Sequence, residues 1–257
     1  MKVPILSELK SKGESPEYLF WVGCAGSFDD RSKKVTKAFV KILNKANISY
    51  AILGKEESCT GDPAKRAGNE FLFQMKAIAN IEILNSYSIK NIITTCPHCF
   101  NTIKNEYPEL GGNYNVIHHT TFINNLIKEN RISISGGFYK GKRITYHDPC
   151  YLGRANGIYE APREVIEKLD AELVEMKSCK SKSLCCGAGG AQMFKEPEKG
   201  NQDINIKRSE EAINSDSEIV AVSCPFCNTM MSDGMTSKEK NINVLDIAQM
   251  IEKAEDL

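Results

Sequence analysis

The chain lacks an excess of charge of either sign: 33 basic residues stand against 33 acidic ones, with no basic block and no acidic tail. Nucleic acid and anionic membrane surfaces are recognised through concentrated positive charge, so neither is expected as a partner. No apolar run approaches the ~20 residues needed to cross a bilayer, so no direct membrane insertion is expected. Residues 1–17 form a polar leader without the apolar centre of a secretory signal. Two redox signatures are also missing, the Gly-X-Gly-X-X-Gly fingerprint of dinucleotide folds and the Cys-X-X-Cys-X-X-Cys run of ferredoxins. No nicotinamide or flavin site is therefore expected. These absences describe a cytoplasmic protein, with any membrane association made through a partner.

Cysteine is sparse by the standard of a secreted disulfide scaffold, at ten in 257 residues. A chain of this length buries a full core without covalent staples, and cytosolic thiols stay reduced. Patterned cysteines in that setting serve metals or catalysis. The most informative stretch is Leu184-Cys-Cys-Gly-Ala-Gly-Gly190. Adjacent thiols strain any attempt to chelate one tetrahedral ion, yet they suit a cluster with several metal positions. The glycines that follow let the backbone approach a bulky ligand.

Taken in order, the chain alternates strand and helix. Apolar runs at 18–22, 50–53 and 90–95 predict strands, and helical periodicity covers 29–47 and 69–87, with shorter helical stretches near 101–107 and 120–129. The same order returns later, with strands at 142–146, 172–176 and 218–222 and helices at 162–169, 205–214 and 246–254. Spacings identify a duplication. Cys24 to Cys59 is 35 positions, as is Cys150 to Cys185; Cys59 to Cys96 is 37, against 39 for Cys185 to Cys224. Each half closes with Cys-Pro-X-Cys directly after a strand. The expected fold is α/β, with two homologous halves, 18–138 and 139–257, related by a pseudo-twofold. Each half is a short, mostly parallel sheet with its helices, and its cysteines gather at the carboxyl ends of the strands.

The first set, Cys24, Cys59, Cys96 and Cys99, offers four thiolates, which suit a [4Fe–4S] cluster or tetrahedral zinc. Proline suits the first helical position at that turn, and the free N–H groups and helix dipole there favour anionic sulfur. The second set, Cys150, Cys185, Cys186, Cys224 and Cys227, has one thiol more than a single zinc ion needs. That excess fits a larger or more open iron–sulfur cluster.

These stretches resemble the cysteine-rich CCG domain found twice in the cluster-bearing subunits of heterodisulfide reductase. Similar domains occur in the iron–sulfur subunits of glycolate oxidase, anaerobic glycerol-3-phosphate dehydrogenase and the lactate-utilisation complex. The resemblance rests on Tyr146-His-Asp-Pro-Cys-Tyr-Leu-Gly-Arg154, the 184–190 stretch and Ser223-Cys-Pro-Phe-Cys227. In the first half it rests on Val22-Gly-Cys24, Ser58-Cys-Thr-Gly-Asp-Pro63 and Thr95-Cys-Pro-His-Cys99. It implies iron–sulfur binding, redox activity and a noncubane [4Fe–4S] cluster in the second half. One departure stands out: aligned on Cys59 and Cys185, the first half has Thr60 where the family has its second cysteine. A conventional cubane is expected there, with zinc as the alternative.

The resulting expectation is an iron–sulfur oxidoreductase subunit of heterodisulfide-reductase type. A ferredoxin-type iron–sulfur or flavoprotein partner would supply electrons. The five-cysteine site would pass them to a small-molecule redox substrate, a disulfide by resemblance. Two alternatives remain, a non-catalytic electron relay within a dehydrogenase complex and a zinc-stabilised structural module. Among other residues, His98 is read as tuning a cluster and not ligating it, because the second half has Phe226 at that place. His118 and His119 read as a capping pair. His147 is a proton donor or a loop-structuring residue, Arg154 an anion partner or a loop residue, and Cys179 an ordinary cysteine. Met193, Met230, Met231 and Met235 read as gap fillers.

Overall fold

The computed structural model describes residues 3–134, 137–196 and 199–257, so positions 1 and 2 of the polar leader lie outside the described residues. In the first half, β1 (Tyr18–Trp21), β2 (Tyr50–Ala51), β3 (Asn91–Thr94) and β4 (Asn115–His118) pair in the order β2-β1-β3-β4, every pairing parallel. The second half repeats this as β6-β5-β7-β8, from β5 (Arg143–Tyr146), β6 (Glu172–Leu173), β7 (Ile219–Val222) and β8 (Asn243–Asp246). The expected α/β fold of two homologous parallel halves is what the chain forms.

The helices are α1 (Leu6–Ser11), α2 (Gly23–Phe28), α3 (Asp30–Lys45), α4 (Asp62–Arg66), α5 (Glu70–Ser86), α6 (Pro97–Asn101) and α7 (His119–Lys128) in the first half. The second contributes α8 (Glu160–Lys168), α9 (Ile204–Ile213), α10 (Pro225–Ser237) and α11 (Ile247–Ala254). Side chains start the long ones: Asp29 accepts the Ser32 amide at 2.7 Å, Asn69 accepts that of Leu72 at 3.0 Å, and Asp246 with Gln249 closes a capping box on α11. Among the described residues no helix is long and apolar enough to cross a membrane.

Alternation along the strands sets the layers. On β1, Phe20 faces an inner core while Leu19 and Trp21 face an outer one, and on β3 Ile93 and Ile92 divide in the same way. The inner core lies between the two sheets and is filled by α3, α7, α8 and α11. Phe39 of α3 is fully buried there, its ring 5.1 Å from that of Phe20, and such burial contributes about 1.5–3 kcal/mol per side chain. Helix α3 packs on α11 and α7 on α8. By the sequence repeat α3 corresponds to α8, and α7 to α11, so these two contacts are the same contact seen from either half. The halves share one apolar layer.

Several features differ from the sequence expectation. The fourth strand of each half was not foreseen, although Asn115 lies 16 positions after Cys99 and Asn243 lies 16 after Cys227, each opening an Asn-Val strand. Strands β2 and β6, one edge of each sheet, are only two residues long, shorter than the expected 50–53 and 172–176. The 101–107 stretch continues α6 as a wider π-turn over Thr102–Glu106 and then a tight 3₁₀ turn, not as an α-helix. The polar leader carries α1, which buries Leu6 against the first half's outer core, and Ile5 bridges Ile52.

Candidate metal centres

In a sheet of order 2-1-3-4 the chain leaves the two central strands in opposite directions, which opens a crevice beyond their carboxyl ends. Cys24 follows β1 and Cys96 begins α6 directly after β3, so both stand at that crevice. Cys59 arrives on the loop after β2. Asn80 on α5 holds this loop, donating to the Cys59 carbonyl at 3.0 Å and accepting from the Ser58 hydroxyl at 2.9 Å. Cys24, Cys59, Cys96 and Cys99 line one enclosed cavity. Beside it, the Glu57 carboxylate accepts the Val22 and Gly23 amides at 3.1 and 2.5 Å, and burial pushes its pKa up to about 7.

The second half builds the same crevice. Cys150 follows β5, Cys224 follows β7, and the loop after β6 delivers Cys185 and Cys186. Both delivering loops turn on a glycine in the left-handed region, Gly61 at φ +89° and Gly187 at φ +94°. Each glycine amide points at the preceding cysteine sulfur, Gly61 to Cys59 at 3.5 Å and Gly187 to Cys185 at 3.3 Å. A Cβ on Gly61 would also stand 2.9 Å from the Phe73 ring. Cys186 Sγ lies 3.3 Å from Cys227 Sγ. In the first half the equivalent pair is Thr60 and Cys99, with the hydroxyl 4.0 Å from the sulfur. Thr60 therefore occupies the place of the fifth thiol.

Acidity follows from this crowding. Cys24 shares a hydrogen bond with Cys59, which pushes Cys24 up and brings Cys59 down to about 6. The bond between Cys96 and Cys99 pushes Cys99 up. Around the second site the hydrogen bond with Cys185 pushes Cys150 and Cys186 up while Cys185 falls well below the thiol range. Burial opposes ionisation of Cys224, yet hydrogen bonds from Cys227 and His98 bring it down to about 5, and Cys227 is pushed up by Cys186. Negative charges this close repel, so some sulfurs ionise only by leaving their neighbours protonated. A bound cation removes that conflict. A donor set of sulfur alone, with glycine amides aimed at it, fits zinc or an iron–sulfur cluster. Cys179 lies apart from the second set, among Glu175, Arg163 and Asp148.

Several residues become legible only in three dimensions. His98 belongs to the first Cys-Pro-X-Cys turn but reaches into the second site. Its Nδ1 meets Asp62 Oδ2 at 2.8 Å, and its ring packs on Tyr151 and Phe226 with centroids 4.5 and 4.9 Å away. Despite burial, the bonds to Asp62 and Cys224 raise His98 well above the usual imidazole range. Phe226 is its own counterpart by the repeat, so the two turns face each other across the pseudo-axis.

Arg163 on α8 spends all of its N–H groups at once. It forks onto Asp148 at 2.8 and 2.9 Å and onto Glu175 at 2.6 and 3.0 Å, and it donates to the Tyr159 carbonyl at 2.8 Å. Asp148 is in the His147-Asp-Pro-Cys150 turn, so the fork fixes the approach of Cys150. Arg208 on α9 is fully buried and donates from Nε to His147 Nδ1 at 3.0 Å. Burial and the Arg208 charge push His147 down to about 3, so it holds no imidazolium proton to give a thiol. Neither arginine was singled out from sequence, because a lone Arg in a helical stretch has the signature of a solvated face.

The remaining expectations divide. His118 stands at the start of α7, but its ring bonds the Thr120 hydroxyl at 2.8 Å without capping a backbone amide. His119 bonds Asp246 at 3.0 Å, joining α7 to the cap of α11. Arg154 donates to the Ser183 carbonyl in the loop before Cys185, a loop role. Met193 and Met230 pack against the second set of thiols, while Met231 and Met235 fill the outer core of that half.

A family model described as "Cysteine-rich domain" (CCG) matches residues 18–104 and, a second time, 144–232. Over 96% of its length the chain is 42% identical to an "EtfAB:quinone oxidoreductase" of Syntrophomonas wolfei subsp. wolfei, of which it spans 35%. Over 94% it is 32% identical to a subunit of the "Dihydromethanophenazine:CoB--CoM heterodisulfide reductase" of Methanosarcina barkeri, of which it spans 59%. The fold alone is similar to that of a hypothetical protein from Helicobacter pylori, with a TM-score of 0.56 at 9% identity over 93% of this chain and 49% of that one.

Proposed function

The chain belongs to the cysteine-rich CCG-domain family of iron–sulfur oxidoreductases, and on that footing we propose that it is a redox unit with two unequal centres. Cys24, Cys59, Cys96 and Cys99 would hold a [4Fe–4S] cluster that relays electrons. Cys150, Cys185, Cys186, Cys224 and Cys227 would hold the centre that meets a small redox substrate, a disulfide in the sense of the heterodisulfide reductase relative. The two halves, 18–138 and 139–257, would act as two such modules in one body.

The observation that carries this reading is the exchange of Thr60 for Cys186 at equivalent places beside Cys99 and Cys227. Four thiolates give each iron of a cubane one ligand, which suits transfer without chemistry. A fifth sulfur leaves room for an opened arrangement that a substrate can reach. When bound, such clusters supply one-electron transfer and an iron able to hold sulfur.

The chain's own residues divide the remaining work. Gly61 and Gly187 amides stabilise thiolate charge at Cys59 and Cys185. Arg163 holds the Cys150 turn through Asp148, and Asp62 orients His98 between the sites. Burial of Cys96, Cys99, Cys186, Cys224 and Cys227 shields the inner side of each centre, while Cys24, Cys59, Cys150 and Cys185 are half-buried. Electrons would come from a partner protein of ferredoxin or flavoprotein type. Helix α5 leaves Phe71, Met75 and Ile78 exposed on the helix that holds the Cys59 loop, an apolar face of the kind partners cover.

Anaerobically purified protein examined by electron paramagnetic resonance and Mössbauer spectroscopy tests the asymmetry. Two distinguishable centres are expected, with Cys186→Ser altering only one of them. Two identical cubane signals, both indifferent to Cys186→Ser, would remove the case for a substrate site and leave a pure relay.

A further inference from the structure

His147 ends β5's run into the Asp148-Pro149-Cys150 turn and is buried. A ring nitrogen of His147, Cys186 Sγ and Cys227 Sγ all lie within 4.8 Å of one another. By distance alone these three groups make a His–Cys–Cys metal site. Hydrogen-bond chemistry gives a different answer. A guanidinium only donates, so the Arg208 Nε–H that meets His147 Nδ1 at 3.0 Å requires Nδ1 to be the acceptor. A neutral imidazole has one accepting nitrogen and one N–H, which puts the proton on Nε2. A protonated nitrogen has no lone pair for a metal.

Arg208 is not free to turn away. Its Nη1 donates to the Ser178 carbonyl at 2.8 Å and to the Glu211 carboxylate, and its Nη2 donates to the Ser183 hydroxyl at 3.2 Å. Ser178 and Ser183 belong to the loop that delivers Cys185, so the arginine that fixes the tautomer also fixes the cysteine loop. The orientation of the imidazole and the placement of the thiols are thus set by one buried side chain.

We propose that His147 is a positioning residue of the second centre, locked by Arg208 as the Nε2–H tautomer, which donates to the sulfur shell and does not ligate metal. The proposal rests on the metal-centre reading above. An N–H···S bond stabilises the more negative, reduced form of a thiolate-bound cluster and so raises its potential. His147 would then keep the second centre easier to reduce than its thiolates alone would make it.

The test uses the full chain with its clusters, purified anaerobically and titrated potentiometrically under paramagnetic resonance. His147→Leu should keep the iron content and lower the midpoint potential of the second centre, leaving the first unchanged. His147→Gln, whose amide N–H replaces the Nε2 donor, should restore most of the wild-type potential. Loss of iron in both variants would make His147 a ligand and overturn the proposal, as would an unchanged potential in His147→Leu. Nitrogen-15 NMR of labelled histidine in the wild type gives an independent reading: His147 should show Nδ1 bare and Nε2 protonated, and the opposite tautomer would overturn the lock. A chain that purifies without iron would count against the metal-centre reading, while the NMR result would still decide the tautomer.

Discussion

Replacing Arg163 with methionine removes the cation from a site where the rest of the charge cannot leave. Arg163 and Asp148 side chains are 4% and 3% exposed, and the bidentate fork between them closes at 2.8 and 2.9 Å. Without the guanidinium, Asp148 keeps the Lys180 amide at 2.7 Å as its remaining charge-stabilising donor. An unpaired buried carboxylate of this kind costs about 3–5 kcal/mol. For a chain of this size that lowers the melting temperature by roughly 6–20 °C. Glu175 loses the same fork but is 34% exposed, so water recovers part of its loss.

Differential scanning calorimetry of anaerobic protein measures the drop, and a double-mutant cycle with Asp148→Asn isolates its cause. Once the charge is gone the methionine should do much less harm, giving a coupling of about 1–3 kcal/mol. Iron bound at the second centre should fall as well, because the Cys150 turn loses its anchor, while the first centre stays loaded. A melting temperature within about 1 °C of wild type, or strictly additive mutations, would refute the reasoning that this pair holds the turn.

Other consequences follow from the two sites. Cys59→Ser should remove the first centre's signal and slow electron delivery while the second keeps its own; Thr60→Cys should make the first centre's Mössbauer spectrum approach that of the second. Removing metal by chelation should loosen the loops 58–63 and 184–190 before the sheets, seen as faster hydrogen exchange there; equal protection with and without metal would mean these loops hold no ligands. Glu57, raised to about 7 by burial, binds its proton more tightly folded than unfolded. Its contribution to stability is therefore complete below the ordinary carboxylate range and is lost as pH climbs through about 7. Because the side chain keeps some solvent contact, the effect should be about 1–3 kcal/mol, and Glu57→Gln should flatten the curve of stability against pH between 5 and 8.

The duplication, the parallel α/β architecture and the two cysteine sets are legible in the sequence because each is a matter of spacing. Equal intervals of 35 positions from Cys24 to Cys59 and from Cys150 to Cys185 can be counted, and a cysteine directly after an apolar run must stand at a strand's carboxyl end. Thr60 against Cys186 is visible by the same counting. The fourth strands were within reach through the matched Asn-Val starts at Asn115 and Asn243, but β4 and β8 each hold only two apolar residues between polar ends and so make no apolar run.

What only the tertiary structure decided is which groups meet across the pseudo-axis. Periodicity assigns α3, α7, α8 and α11 an apolar face without saying that all four faces share one layer. That shared layer presses the two crevices together, so His98 of the first turn reaches Cys224 of the second. Arg163 and Arg208 look like solvated helix residues in one dimension, and their partners Asp148 and His147 lie 15 and 61 positions away. Burial and hydrogen-bond direction are properties of the packed chain. They turn a histidine that distance would make a ligand into a donor, and no spacing rule contains that information.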